Sequence, residues 1–445
     1  MTRQAGHVEQ LPPHHPLAGR KVWIPRMSYG SARAFAAALR SVGVDAECTP
    51  PSDARTRELG QKYTNGDECY PLMVTLGDLL RILEQPGTEP GKTSFFMATA
   101  DGPCRFGQYL PFFRHVLNQL GYQEVTFLSS TDVRGYKDLD RLGNGFVRVG
   151  WRALVAGDLL LKLLLKTRPY ELQAGSADAA YEESVSDLSA ALEVLYPSHP
   201  EQLKAVQASL LRARARFREL PVRYDPERPL LGIVGEIFCR LNTYSNEELV
   251  RRLEGAGAEA WMSDICEWIW YTHEQHLGDL RLESRLPSWP IVRARLRGRV
   301  QKQDEHALVG LFAEDFRGYE EPEDIGVVLR YAEPYLPPKG VIGEMVLNLG
   351  RSVYLTRKGV DGIVDISPFT CMNGIVSDAL YPRLSADLGG IPIRVFYFDG
   401  TQSDLDRDLG IFLELARAYR TRKPFPRRYP PCFGIGPECT AATAH

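Results

Sequence analysis

Three cysteines share one local grammar. Cys69 lies in Asn65-Gly66-Asp67-Glu68-Cys69-Tyr70-Pro71 just ahead of a helical stretch, Cys104 in Asp101-Gly102-Pro103-Cys104-Arg105 between a strand and a helix, and Cys371 in Ser367-Pro368-Phe369-Thr370-Cys371 in the same setting. A thiolate at a helix N-terminus is stabilised by free backbone amides and by the positive end of the dipole. Each loop also carries Pro or Gly, and glycine lets backbone approach a bulky inorganic centre closely. Three such thiolates could converge on a metal cluster, although the spacing is not the compact ferredoxin run. The competing reading is packing, because free cysteine is among the most buried residue types.

The other five cysteines divide differently. Cys48 sits within a strand and Cys239 in a strand-to-loop run, where packing is expected. Cys266 opens a helix after a strand and is the plausible extra ligand, with packing as its alternative. Cys432 and Cys439 lie among Gly and Pro in the tail and read as a mobile surface pair rather than a metal site.

These loops need a frame, and alternation of strands and helices supplies one. KVWIP (Lys21 to Pro25) reads as a strand, Ser28 to Val42 as a helix capped by Ser28, and VDAECT as a second strand. CYPLMVTLGDLLRILEQ reads as a helix, KTSFFMATA as a strand, CRFGQYLPFFRHVLNQLGY as a helix and EVTFLSS as a strand. A second series opens with RPLLGIVGE and continues through SNEELVRRLEGAG, AEAWMSD, ICEWIWYTHEQHL, DGIVDISP, CMNGIVSDALYPRLSADLG, IPIRVFYFDG and DLDRDLGIFLELARAYR. Such alternation predicts α/β architecture with two parallel sheets covered on both faces, and it directs attention to the loops at the carboxyl ends of strands.

The expected organisation is an N-terminal arm over 1–18, a first α/β domain over 19–150 and a helical connector over 151–227. A second α/β domain follows over 228–420 with a helical insertion near 280–333, and then a Pro-rich surface tail over 421–445. The halves match in layout without repeating in residues.

Composition narrows the function classes. The chain has 445 residues, 44% of them hydrophobic and 24% charged, the balance of a globular protein of two or three domains. A net charge of -3 predicts no global attraction to nucleic acid or to an anionic membrane. The greasiest stretch, Ala153 to Leu165, carries Asp158 and Lys162 and falls short of the roughly 20 apolar residues that span a bilayer. With no apolar run resembling a signal peptide at the start, a reducing cytoplasm is expected, where thiols stay free, bind metal or do redox chemistry.

Several motifs fail inspection. Gly87-Thr-Glu-Pro-Gly91-Lys92-Thr93 is one residue short of a P-loop, and its lysine leads into a strand instead of a helix. His273-Glu274-Gln275-His276 has its histidines at i and i+3, the wrong spacing for a zinc-protease helix, and reads as a solvated helix end. Gly-x-Ser-x-Gly and Gly-x-Gly-x-x-Gly do not occur.

Four long stretches carry a family resemblance: KYTNGDECYPLMVTLGDLL, FFMATADGPCRFGQY, GIVGEIFCRLNTYSNEELVRRLEGAGAEAW and DISPFTCMNGIVSDALYPRLSADLGGIPIRVFYFDG. Together they resemble the 2-hydroxyacyl-CoA dehydratase superfamily, in the branch labelled CoA protein activase or CoA-substrate-specific enzyme activase, in its dehydratase-like, non-ATPase part. The match runs from about Lys21 to Arg420 and is weakest in the helical connector and insertion. The resemblance implies two Rossmann-like domains with a [4Fe-4S] cluster in the cleft between them, held by Cys69, Cys104 and Cys371. It further implies a low-potential electron from a separate ATP-dependent iron-sulfur activator, and a homodimer or a paired related subunit. Relatives with paired cubanes bind a larger double-cubane [8Fe-9S] cluster and reduce small molecules, and that alternative stands.

Within this frame, three thiolates leave one iron open to act as a Lewis acid or to take a substrate oxygen. Arg105 is a candidate for charge compensation or hydrogen bonding beside Cys104. Glu68 is either an acid near the cluster or a helix-start carboxylate. Glu236, at the end of LLGIVGE, is the general acid/base candidate, with pairing to Arg240 as its structural alternative. Two functions follow as expectations. One is an enzyme component that dehydrates a 2-hydroxyacyl-CoA through a ketyl radical anion, or reduces a small substrate; the other is an electron relay or scaffold subunit without catalysis of its own.

Overall fold

The computed structural model describes residues 11–427, apart from 13, 101, 132–138, 140, 141, 144, 284–287, 341, 342, 402 and 403. Cys432 and Cys439 lie outside the described residues. The first half of the chain runs β1 (Lys21–Ile24), α1 (Tyr29–Arg40), β2 (Asp45–Cys48), α2 (Ala54–Lys62), α3 (Tyr70–Leu83), β3 (Thr93–Thr99), α4 (Tyr109–Gln119) and β4 (Thr126–Thr131). Three long helices follow: α5 (Phe146–Thr167), α6 (Ser176–Glu193) and α7 (His199–Glu219). The second half runs β5 (Leu230–Gly235), α8 (Ile237–Leu241), α9 (Leu249–Gly255), β6 (Glu259–Met262), α10 (Ile265–Glu283) and α11 (Trp289–Val309). It ends with α12 (Ile325–Ala332), α13 (Glu344–Arg357), β7 (Gly362–Pro368), α14 (Met372–Asp387), β8 (Ile393–Phe398) and α15 (Leu405–Arg420).

The strands form two four-stranded sheets, ordered β2-β1-β3-β4 and β6-β5-β7-β8, and every pairing is parallel. The fold is therefore α/β with two Rossmann-like parallel sheets, as the alternation predicts. In each sheet the chain steps outward in one direction and then crosses back, so the order reverses beside the first strand, and the carboxyl ends there are where open α/β sheets bind ligands.

The chain divides into two compact units, one of Met1–Asp158, Ser184–Leu210 and Tyr271–Leu308, the other of Leu159–Glu183, Leu211–Trp270 and Val309–His445. The helices expected to form a separate connector are instead shared between the units. The segment read as an insertion is divided too, with α10 from Tyr271 onward and most of α11 in the first unit.

In the first unit, Leu72, Leu76, Leu79 and Leu80 of α3 pack with Phe95 and Met97 of β3 and with Phe113, Val116 and Leu117 of α4. α2 was not apparent in the polar run DARTRELGQK, yet a capping box starts it, with the Asp53 carboxylate accepting from the Thr56 amide. α2 and α3 cross at two glycines: a Cβ on Gly60 would stand 2.2 Å from the Met73 carbonyl oxygen, and one on Gly77 1.9 Å from that of Thr56. Buried Asp78 accepts from the Ser52 and Thr56 hydroxyls at this crossing, each at 2.7 Å. Asp304 of α11, also buried, takes paired hydrogen bonds from Arg148 and Arg152 of α5. Burial opposes its charge, but the two guanidiniums hold its carboxyl below the usual range.

In the second unit all of β5 and β7 is buried, which explains their continuous apolar reading. Glu259 of β6 is fully buried and accepts from the hydroxyls of Tyr170 and Tyr319 and from Arg427 at 2.6 to 2.8 Å. Half-buried Lys423 pairs with buried Asp361 at 2.7 Å. Residues 421–427 are thus tied to this unit by two ion pairs while Thr421, Arg422, Pro424 and Pro426 stay exposed; the rest of the expected tail lies outside the described residues. No described helix is long and apolar enough to cross a membrane.

Candidate cysteine and carboxylate sites

All three candidate cysteines are N-cap residues. Cys69 precedes α3, Cys371 precedes α14, and Cys104 precedes a single 3-10 turn, Arg105–Gln108, that leads into α4. Cys104 follows the third strand of the first sheet and Cys371 the third strand of the second, so both belong to the carboxyl-end loops beside the order reversal.

In the first unit the loops of Cys69 and Cys104 are fastened together by two side chains of the same segment. Arg105 donates to the carbonyl of Asp67, two residues before Cys69. One turn later the Tyr109 hydroxyl lies 2.6 Å from the Cys69 sulfur, and both residues are buried. Arg105 therefore meets the Cys69 loop through its backbone. Glu68 accepts from the Asn65 amide at 2.9 Å and closes the turn ahead of α3. The 3-10 turn packs against the exit of β3 through Gly107, where a Cβ would stand 2.5 Å from the Ala100 carbonyl oxygen.

The second unit places Glu236 and Cys371 at the ends of β5 and β7, which are paired neighbours in the sheet. Glu236 is the N-cap of α8; its carboxylate accepts from the Phe238 amide at 3.1 Å and from the Cys239 amide at 2.8 Å. Beside it, buried Glu344 at the start of α13 accepts from the Ile237 amide at 2.7 Å. Burial pushes the Glu344 carboxyl well above the usual range, and the neighbouring Glu236 pushes it further. Burial also raises Glu236, against the two amides and the nearby Arg240. Arg240 acts on Glu236 through its charge, with the Gly235 carbonyl among its own hydrogen-bond acceptors. The Cys371 thiol is raised by burial first and then by Glu236, while the amides of Gly374 and Asn373 oppose the shift. Thr370, immediately before it, has φ of 61°, a left-handed conformation that a β-branched residue adopts only where the surroundings impose it.

The remaining candidates resolve as follows. Cys239 is fully buried in α8, and Cys266 is buried in the first turn of α10. Cys48 is half-buried at the end of β2, its thiol pushed up to about 12, mainly by burial. The Gly87–Thr93 segment is a turn that enters β3. His273 and His276 lie within α10 and are partly buried, not at a solvated helix end; the His273 ring packs on Gly298 of α11, and burial lowers it to about 4. Three residues were missed in the sequence: Tyr109, Glu344 and Thr370. Tyr109 stands five residues after Cys104, in the stretch CRFGQY. Glu344 had no such pointer, because α13 lacks a clear start signal.

Among the described residues no group of three or more His, Cys, Asp or Glu side chains is placed to hold a single metal ion. A single ion needs its ligand atoms within about 2.3 Å of one point, whereas a cubane distributes its thiolates over separate irons. The donor set that the chain offers, three cysteines at the starts of helical segments, suits the second arrangement by chemistry. No known family model and no curated protein matches the chain.

Proposed function

We propose that the chain is an iron-sulfur protein of the 2-hydroxyacyl-CoA dehydratase type. Cys69, Cys104 and Cys371 are its cluster ligands, and it accepts a low-potential electron from a separate ATP-dependent activator. The observation that carries this reading is the common position of the three thiols, each on the N-cap residue of a helical segment. The fastening of the Cys69 loop to the Cys104 segment by Arg105 and Tyr109 adds to it, because a cluster needs its ligand loops held in register. When bound, such a cluster supplies one-electron reduction and, at an iron without a cysteine, a Lewis-acid position.

The chain's own residues then have definite tasks. Glu236 and Glu344 accept from successive amides at the end of β5, and burial of both, with the Glu236 charge acting further on Glu344, raises the two carboxyls and favours their protonated forms. A carboxylic acid at that place can protonate a departing hydroxide, the step that dehydration of a 2-hydroxyacyl thioester requires. Arg105 and Tyr109 position the Cys69 loop, and Thr370 fixes the turn that presents Cys371.

The test is anaerobic purification with iron and sulfide counting and EPR, alongside Cys69→Ala, Cys104→Ala and Cys371→Ala. Loss of cluster in each variant supports the assignment; a full cluster in all three ends it. About eight irons per chain would replace the single cubane with a double-cubane reductase. Cluster content unaccompanied by turnover of any acyl-CoA would favour the relay role.

A further inference from the structure

The contact between Cys69 and Tyr109 holds more than register. Tyr109 is 5% exposed and lies among Phe106 and Phe113, with ring centroids 5.1 and 6.0 Å from its own. Its ring is held by this aromatic packing, and its hydroxyl meets the Cys69 sulfur at 2.6 Å. With a neutral thiol, either group can donate. A metal-bound thiolate has no S–H, so the hydroxyl becomes the sole donor of the pair.

Resting on the cluster reading above, we infer that Tyr109 is a positioning residue that tunes the cluster by donating a hydrogen bond to the Cys69 thiolate. One-electron reduction adds negative charge to the iron-sulfur unit, and a fixed donor at a ligand sulfur stabilises the more negative state. Hydrogen bonds to the sulfurs are one of the levers that set cluster potentials. The hydroxyl keeps its proton throughout, so the cluster gains one electron and no covalent bond changes. Tyr109 thereby raises the reduction potential and makes the cluster easier for an external donor to reduce.

Tyr109→Phe removes one hydroxyl and keeps the ring that packs between Phe106 and Phe113. The expected result is unchanged iron and sulfide content with a reduction potential shifted to a more negative value in an EPR-monitored titration. Site-specific replacement of Tyr109 by 3,5-difluorotyrosine, a stronger donor of similar shape, is expected to shift the potential the opposite way. Unchanged potentials in both variants with the cluster intact overturn the inference. So does loss of the cluster from a Tyr109→Phe protein that stays folded by circular dichroism, since the hydroxyl would then serve assembly rather than tuning. Absence of a cluster from the unsubstituted protein overturns the cluster reading itself, which iron and sulfide counts distinguish from a failure at Tyr109.

Discussion

Glu236 and Glu344 grip successive amides at the start of α8, Glu344 taking Ile237 and Glu236 taking Phe238 and Cys239. Both carboxyls are raised, so between the unfolded and folded values the folded chain binds more protons, and its stability falls as pH rises through the folded values. Glu344→Gln keeps an oxygen for the Ile237 amide and removes one charge. The melting-temperature gain over the unsubstituted protein is expected to be near zero at about pH 4 and to grow toward about pH 8. A gain independent of pH would mean that the fold does not raise the Glu344 carboxyl.

The helix that Cys69 caps, α3, depends on a close crossing with α2. A methyl group at Gly77 would stand 1.9 Å from the Thr56 carbonyl oxygen, an encounter with backbone that no rotamer change relieves. Gly77→Ala is expected to destabilise by about 1–3 kcal/mol or more in urea unfolding. Gly410 in α15 is the control, because nothing lies within 4 Å of a Cβ built there. Gly410→Ala is expected to stabilise by roughly 0.5–1 kcal/mol through helix propensity.

Legibility in the sequence followed the strength of the local signal. β5 and β7, buried on both faces, announce themselves as LLGIVG and GIVDISP, and the positions of Cys69, Cys104 and Cys371 ahead of helices followed from the strands around them. α2 was hidden because its stability comes from a capping box and a glycine crossing, not from an apolar stripe. The proximity of Glu344 to Glu236 is a contact between residues 108 apart, invisible to any local pattern. The division of α5, α6 and α7 between two units was equally hidden, because helical periodicity reports which face is buried but not against what.

Lys166 gives a pH dependence of the opposite sign. It is fully buried in the second unit, its ammonium 3.9 Å from the centre of the Tyr319 ring and without a hydrogen-bond partner among the described residues. Burial lowers it to about 7, with Glu259 opposing the shift. The unfolded chain holds this proton up to about pH 10.4. The cost of burying the charge is therefore fully present below pH 7 and is relieved as pH rises from there. Lys166→Met is expected to stabilise the protein by a few kcal/mol at about pH 6, with a much smaller gain at about pH 9.5. Equal gains at both pH values would show that the folded lysine keeps its proton throughout, so that burial does not lower it.

The two ion pairs that fix residues 421–427 should differ in weight, because their acceptors differ in what remains when the cation is removed. Without Arg427, Glu259 still accepts from the Tyr170 and Tyr319 hydroxyls. Without Lys423, Asp361 keeps the Leu230 amide at 2.8 Å and is left as a buried, uncompensated charge. Lys423→Met is thus expected to cost on the order of 3 kcal/mol, and Arg427→Met clearly less. Adding Asp361→Asn to Lys423→Met removes the orphaned charge while leaving an oxygen for Leu230, so most of the lost stability should return. Urea unfolding of the two single variants and the double variant measures the coupling. Additive losses in the double variant would show that Lys423 acts through packing rather than through its charge.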